Sequence, residues 1–97
     1  MKQLTIFCSP EHEARVVRAL ERIDVEGFAR VGDVTGNRFQ HEVEGRHTVG
    51  WQAAMFIVPG LTDAQAQSVI DELESFAGEC AEKPCLRIVL STIDALY

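Results

Sequence analysis

A chain of 97 residues with 46% hydrophobic content is long enough to bury one core and too short for a second domain, so residues 1–97 are read as a single domain. Its net charge of −6 argues against nucleic acid, because phosphate binding needs basic side chains gathered on one face. The apolar runs fall short of the roughly 18–20 residues of a membrane span, and the N-terminus lacks the order of a secretion signal, which makes the cytoplasm the expected compartment.

Residues 4–8 read as a strand, and Ser9-Pro10-Glu11 marks a helix start. Ser9 offers its hydroxyl to free amides there, and Pro10 loses nothing at the first helical position. His12 falls in the first turn and is expected in water. Val16, Val17, Leu20 and Ile23 recur at three- and four-residue spacing and form one apolar stripe. Glu13, Arg15, Arg18, Glu21 and Arg22 occupy the remaining surface in an alternating pattern of charge, which reads as a solvated face. Gly27 is the expected break, after which residues 28–34 run extended.

The second half repeats the plan. Residues 48–58 form a long strand stopped by Pro59-Gly60, and Thr62-Asp63-Ala64-Gln65 fits a capping box, in which two orphan amides at a helix start are satisfied reciprocally. Ala66, Val69, Ile70, Leu73 and Phe76 make the buried stripe of that helix, Gly78 stands where a left-handed terminal residue belongs, and residues 86–92 make the last strand. The order is β-α-β-β-α-β, an α+β fold whose antiparallel sheet carries helices on one face only. On the third strand Val49, Trp51, Ala53, Met55 and Ile57 share one face, while Ala54, Phe56 and Val58 occupy the other. One of these faces meets the helices. The other, joined by Phe7 and Val89, is an apolar patch that calls for burial between subunits.

Three side-chain groups invite chemistry. His41, Glu42, Glu44 and His47 gather imidazoles and carboxylates that suit a divalent transition metal, although an extended segment holds His41 and His47 on the same side and about 20 Å apart. The alternative is ordinary hydrated histidines in a polar loop. Cys80 and Cys85, with Pro84 between them, allow a reversible disulfide or a soft-metal pair. The plainer use of Cys85 is as a small buried hydrophobe, and an odd total of three cysteines does not describe a disulfide framework. No serine, histidine and acid grouping or glycine-rich nucleophile turn is present, so an enzyme is not expected.

Met1-Lys2-Gln3-Leu4, Arg18-Ala19-Leu20-Glu21-Arg22-Ile23 and the run from Gly27-Phe28 through Val31-Gly32-Asp33-Val34-Thr35-Gly36 resemble the first half of the nitrogen-regulatory P-II signalling proteins. Residues 49–59, Val69-Ile70-Asp71-Glu72-Leu73 and Arg87-Ile88-Val89 resemble that family's third strand, second helix and fourth strand. The resemblance implies a ferredoxin-like fold assembled as a homotrimer. It also implies that an adenine nucleotide or related anion binds in clefts between subunits, and that a movable arm at about residues 35–47 engages a target protein such as a membrane transporter. It places Gly36, Arg38 and Gln40 at the ligand, with Lys83 and Arg87 as the basic positions of the second half. The family's glycine-rich phosphate loop is replaced by Gly78-Glu79-Cys80-Ala81-Glu82-Lys83-Pro84-Cys85, whose glutamates repel phosphate and whose proline has no amide to donate. Relatives that accompany metal-efflux systems give a second expectation, a metal-homeostasis protein using the His/Glu segment.

Overall fold

A computed structural model describes residues 1–42, 45–76 and 85–97, with the backbone alone at 38–42 and 45–49. Strand β1 spans Lys2–Cys8, a 3-10 turn follows at Pro10–His12, and helix α1 spans Glu13–Arg22. Strands β2 (Ala29–Glu42) and β3 (Gly45–Leu61) come next, then helix α2 (Asp63–Glu74) and strand β4 (Leu86–Thr92). The four strands form one antiparallel sheet in the order β2-β3-β1-β4. This is the ferredoxin-like arrangement that the sequence predicts. No helix among the described residues is long and apolar enough to cross a membrane.

Alternation along the central strands decides what the helices cover. Leu4, Ile6 and Cys8 of β1 and Ala54, Phe56 and Val58 of β3 point to one face, where Val16, Ala19 and Leu20 of α1 and Ala66, Val69 and Leu73 of α2 close over them. Each large side chain so buried contributes roughly 1.5–3 kcal/mol relative to exposure, which makes this layer the stabilising centre of the subunit. Both predicted helical stripes lie in it.

Helix ends divide between expectation and correction. Thr62 and Gln65 form the predicted capping box, with the Gln65 amide donating to Thr62 Oγ1 at 3.1 Å and the Thr62 amide donating to Gln65 Oε1 at 3.0 Å. Ser9, by contrast, makes no cap to the helix. Its hydroxyl donates to the Cys85 carbonyl at 3.2 Å, and its amide donates to the same oxygen at 2.9 Å. Gly27 is not the break after α1 either. Asp24 takes the left-handed conformation at φ 59°, and the amides of Asp24 and Val25 close on the carbonyls of Glu21 and Leu20. Carbonyls at a helix end are commonly satisfied by this pair of bonds, and aspartate tolerates the left-handed region better than most residues.

Strands β2 and β3 are longer than predicted. Of the segment 35–47, expected as a loop, residues 35–42 and 45–47 continue the two strands, with pairs running from Thr35–Gln52 to His41–Arg46 and Glu42–Gly45. Because β1 ends at the Cys8–Ala54 pair, this part is a two-stranded ribbon with no third strand beside it among the described residues. At the root of the ribbon the register shifts between Val31 and Val34, where Asp33 adopts φ 56°, a bulge that turns the strand and raises its local twist. Pro59-Gly60 also fails to stop β3. Gly60 at φ +73° sits in a second irregularity opposite Lys2 and Leu4, and the strand resumes at Leu61.

Candidate ligand-binding site

The face of the sheet away from the helices is apolar and is left uncovered by the described residues. Register places Arg87, Phe7, Met55 and Val31 in one row across all four strands, and Val89, Thr5, Ile57 and Ala29 in the next. Val31 is 42% exposed and Val89 45% exposed. Phe7 and Trp51 meet edge to face with ring centroids 6.3 Å apart, a favourable aromatic geometry. Arg87 is the one charged side chain in these two rows and is exposed.

Trp51 also explains Gly36. The two residues pair across β2 and β3, and a Cβ at Gly36 would lie 2.3 Å from the indole Cζ2. Glycine here is the floor on which the indole rests, so its position at the root of the ribbon has a packing cause within the chain itself.

Within the chain, two of the predicted ligand residues, Gly36 and Arg87, lie far apart. Gly36 on β2 and Arg87 on β4 stand at opposite edges of the sheet, three strand spacings or about 14 Å apart across it. They are also four residues apart along β3, Trp51 against Met55, which adds about 13 Å. Arg38 and Gln40 lie on the ribbon opposite Val49 and His47. Lys83, Glu44 and Cys80 lie outside the described residues.

The His/Glu segment also departs from expectation. His41 pairs with Arg46, and His47 pairs with Gln40, so positions 41 and 47 alternate to opposite faces of the ribbon. An extended single strand would have kept them on one side, whereas the hairpin register separates them. No group of three or more potential metal-ligating side chains occurs among the described residues whose side chains are placed.

A second cluster sits where β1 meets α1. Cys85 is buried and disulfide-bonded, while Cys8 is a buried free thiol. Burial, reinforced by the Glu13 carboxylate and partly offset by Arg30, pushes the Cys8 thiol up to about 11, so it stays protonated and unreactive at neutral pH. The Arg30 guanidinium donates to Glu13 and holds that carboxyl below its ordinary range. His12 is buried, contrary to the solvated position expected from its place in the first turn. Its ring stacks at 5.2 Å on Phe76, and its Nε2 lies 3.7 Å from Glu11.

Sequence reasoning missed the Trp51–Gly36 contact and the burial of His12. The first was visible in principle as a tryptophan on an alternating strand facing a glycine on its partner. The second had no local signal, because Phe76 is 64 positions away in the chain and only the tertiary fold brings the rings together.

No family model matches the chain, and no curated protein matches its sequence. Solved structures do. The B. subtilis GlnK–ATP complex superposes with a TM-score of 0.76 at 12% identity, covering 95% of this chain and 80% of the other. CPII from Thiomonas intermedia, a nitrogen-regulatory PII-like protein bound to ADP, AMP and bicarbonate, superposes with a TM-score of 0.68 at 15% identity, covering 93% and 82%. The same protein bound to ADP and bicarbonate matches at a TM-score of 0.61 and 17% identity. The fold of this chain is therefore that of the nitrogen-regulatory PII proteins over nearly its whole length.

Proposed function

We propose that the chain is a non-enzymatic regulatory protein of the P-II kind, in which three copies close around the uncovered sheet face and hold an adenine nucleotide or a related anion in the crevices between them. The observation that carries this reading is the likeness of fold, over 93% of the chain or more, to structures bound to ATP in one case and to ADP, AMP and bicarbonate in another. The uncovered apolar face supports the assembly, since patches of this kind are normally buried between subunits. The wide separation of Gly36 and Arg87 supports a shared site, because a crevice can gather both only across a subunit boundary.

In that crevice Arg87 offers a guanidinium fork to a phosphate or carboxylate, and it makes no hydrogen bond or ion pair among the described residues. Arg38, Gln40 and Lys83 are the further ligand positions that this reading assigns. The ribbon of β2 and β3 is the arm that engages a target protein, a membrane transporter being one candidate. Ligand binding at the ribbon's root biases its grip on the target through the difference in affinity between the two states.

Titration calorimetry with ATP, ADP and AMP, each with and without bicarbonate, tests the proposal. One ligand per subunit is expected, weakened about tenfold or more by Arg87→Gln, with a rise in melting temperature that grows with the logarithm of ligand concentration. No heat and no stabilisation at millimolar nucleotide would overturn it.

A further inference from the structure

Trp51 has one side of its ring committed to the chain. A Cβ at Gly36 would meet Cζ2, Cε2 and Cη2 of the indole at 2.3, 2.4 and 2.8 Å. Distances this alike mean that the ring meets the glycine with its face, since an approach along the ring plane would leave the two flanking carbons well behind the nearest one. The indole therefore lies flat on the sheet over Gly36. It also lies past the Cys8–Ala54 pair at which β1 ends, where no third strand stands beside the ribbon among the described residues.

Phe7 is the one aromatic contact of Trp51 among the described residues, at an interplanar angle of 87° and a centroid separation of 6.3 Å. A ring perpendicular to one that lies flat stands upright on the sheet, so Phe7 is a wall at the edge of the indole and not a cover over it. Both side chains are only partly buried. Floor and wall make a right-angled apolar corner at the root of the ribbon. A ring held flat by bare backbone on one side presents its other side already ordered, so a planar group stacks there without paying to fix the platform.

On the nucleotide reading above, on which this step rests, we propose that the Trp51 indole is the platform for the adenine base, with Phe7 bounding the base at its edge and the phosphates falling to Arg87. ATP, ADP and AMP share one uncharged planar base and differ in their phosphates. Trp51 then sets the part of the affinity common to all three, and Arg87 sets the part that grows with phosphate number. Gly36 serves the ligand through the indole that it lets lie flat.

Trp51 is the single tryptophan of the chain, so its emission reports the platform directly. AMP, ADP and ATP are expected to quench the emission of the full chain, and tripolyphosphate, which has no base, is expected to leave it unchanged. In titration calorimetry Trp51→Leu should weaken all three nucleotides by a common factor of about five or more, with tripolyphosphate affinity unchanged, and Trp51→Phe should recover most of the loss. Arg87→Gln should show the converse, a loss that deepens from AMP to ATP. Nucleotides that bind the parent chain without changing its emission, and bind Trp51→Leu as tightly, would overturn the platform and leave the nucleotide reading standing. A parent chain that binds no nucleotide would overturn both. Emission that responds to dilution of the chain and not to nucleotides would place a second copy on the outer plane of the indole, and would overturn the platform as well.

Discussion

Met55 and Phe56 are adjacent on β3 and live in different surroundings. Phe56 is fully buried beneath both helices, whereas Met55 faces away from them in a row with Phe7, Val31 and Arg87. The same one-residue alternation runs through β1, where Leu4, Ile6 and Cys8 are buried while Thr5 and Phe7 are half-exposed. Most antiparallel sheets of this size are apolar on the packed face and polar on the wet one. Here both faces are apolar, and the difference lies only in which one the chain covers by itself. The lesson is that one strand carries two apolar faces, one covered by the chain's own helices and one that the described residues leave open.

Substitutions on the two faces separate these roles. Phe56→Ala should cost about 3–5 kcal/mol of subunit stability, read as a drop in the denaturant midpoint, because it removes a large ring from a closed core and leaves a cavity. A loss below about 1 kcal/mol would mean the helix-covered face is not the stabilising layer. Gly36→Ala should cost about 1–3 kcal/mol and shift the Trp51 fluorescence, since a methyl group there overlaps the indole and forces it from the sheet. An unchanged emission spectrum would show that Trp51 does not rest on that backbone.

The finest probe of the covered face is Cys8. Its thiol titrates near 9 when exposed and at about 11 in the fold, so the folded state retains a proton that the unfolded state releases. Stability is then complete below pH 9 and falls as pH rises from 9 to 11, by up to about 3 kcal/mol at the top of that window. Denaturant unfolding of the parent chain and Cys8→Ala across this range should show the extra loss in the parent alone. Parallel curves would mean that the thiol is solvated.

The fold was legible because its elements carry strong local signals. Periodicity in Val16, Leu20, Val69 and Leu73 set both helices, and the capping box at Thr62 set the start of α2 to within a residue. The β2–β3 ribbon was not legible, because residues 35–47 lack an apolar alternation and the ladder that extends them depends on backbone bonds that any side chain permits. Ser9 looked like a cap because its type and place were right, yet the Cys85 carbonyl, 76 positions away, took its hydroxyl. Of the site, the apolar uncovered face was readable from Trp51, Met55 and Ile57. The distance between Gly36 and Arg87 was not, since strand order is a property of the sheet and not of any segment.

Mass in solution tests the central claim most directly. Light scattering behind size exclusion at micromolar concentration should return about 32 kDa, three times the 10.8 kDa subunit. Met55→Glu, which puts a charge on the uncovered face without touching the core, should return one subunit mass with its helices intact. A parent chain that runs stably at 10.8 kDa would contradict the account.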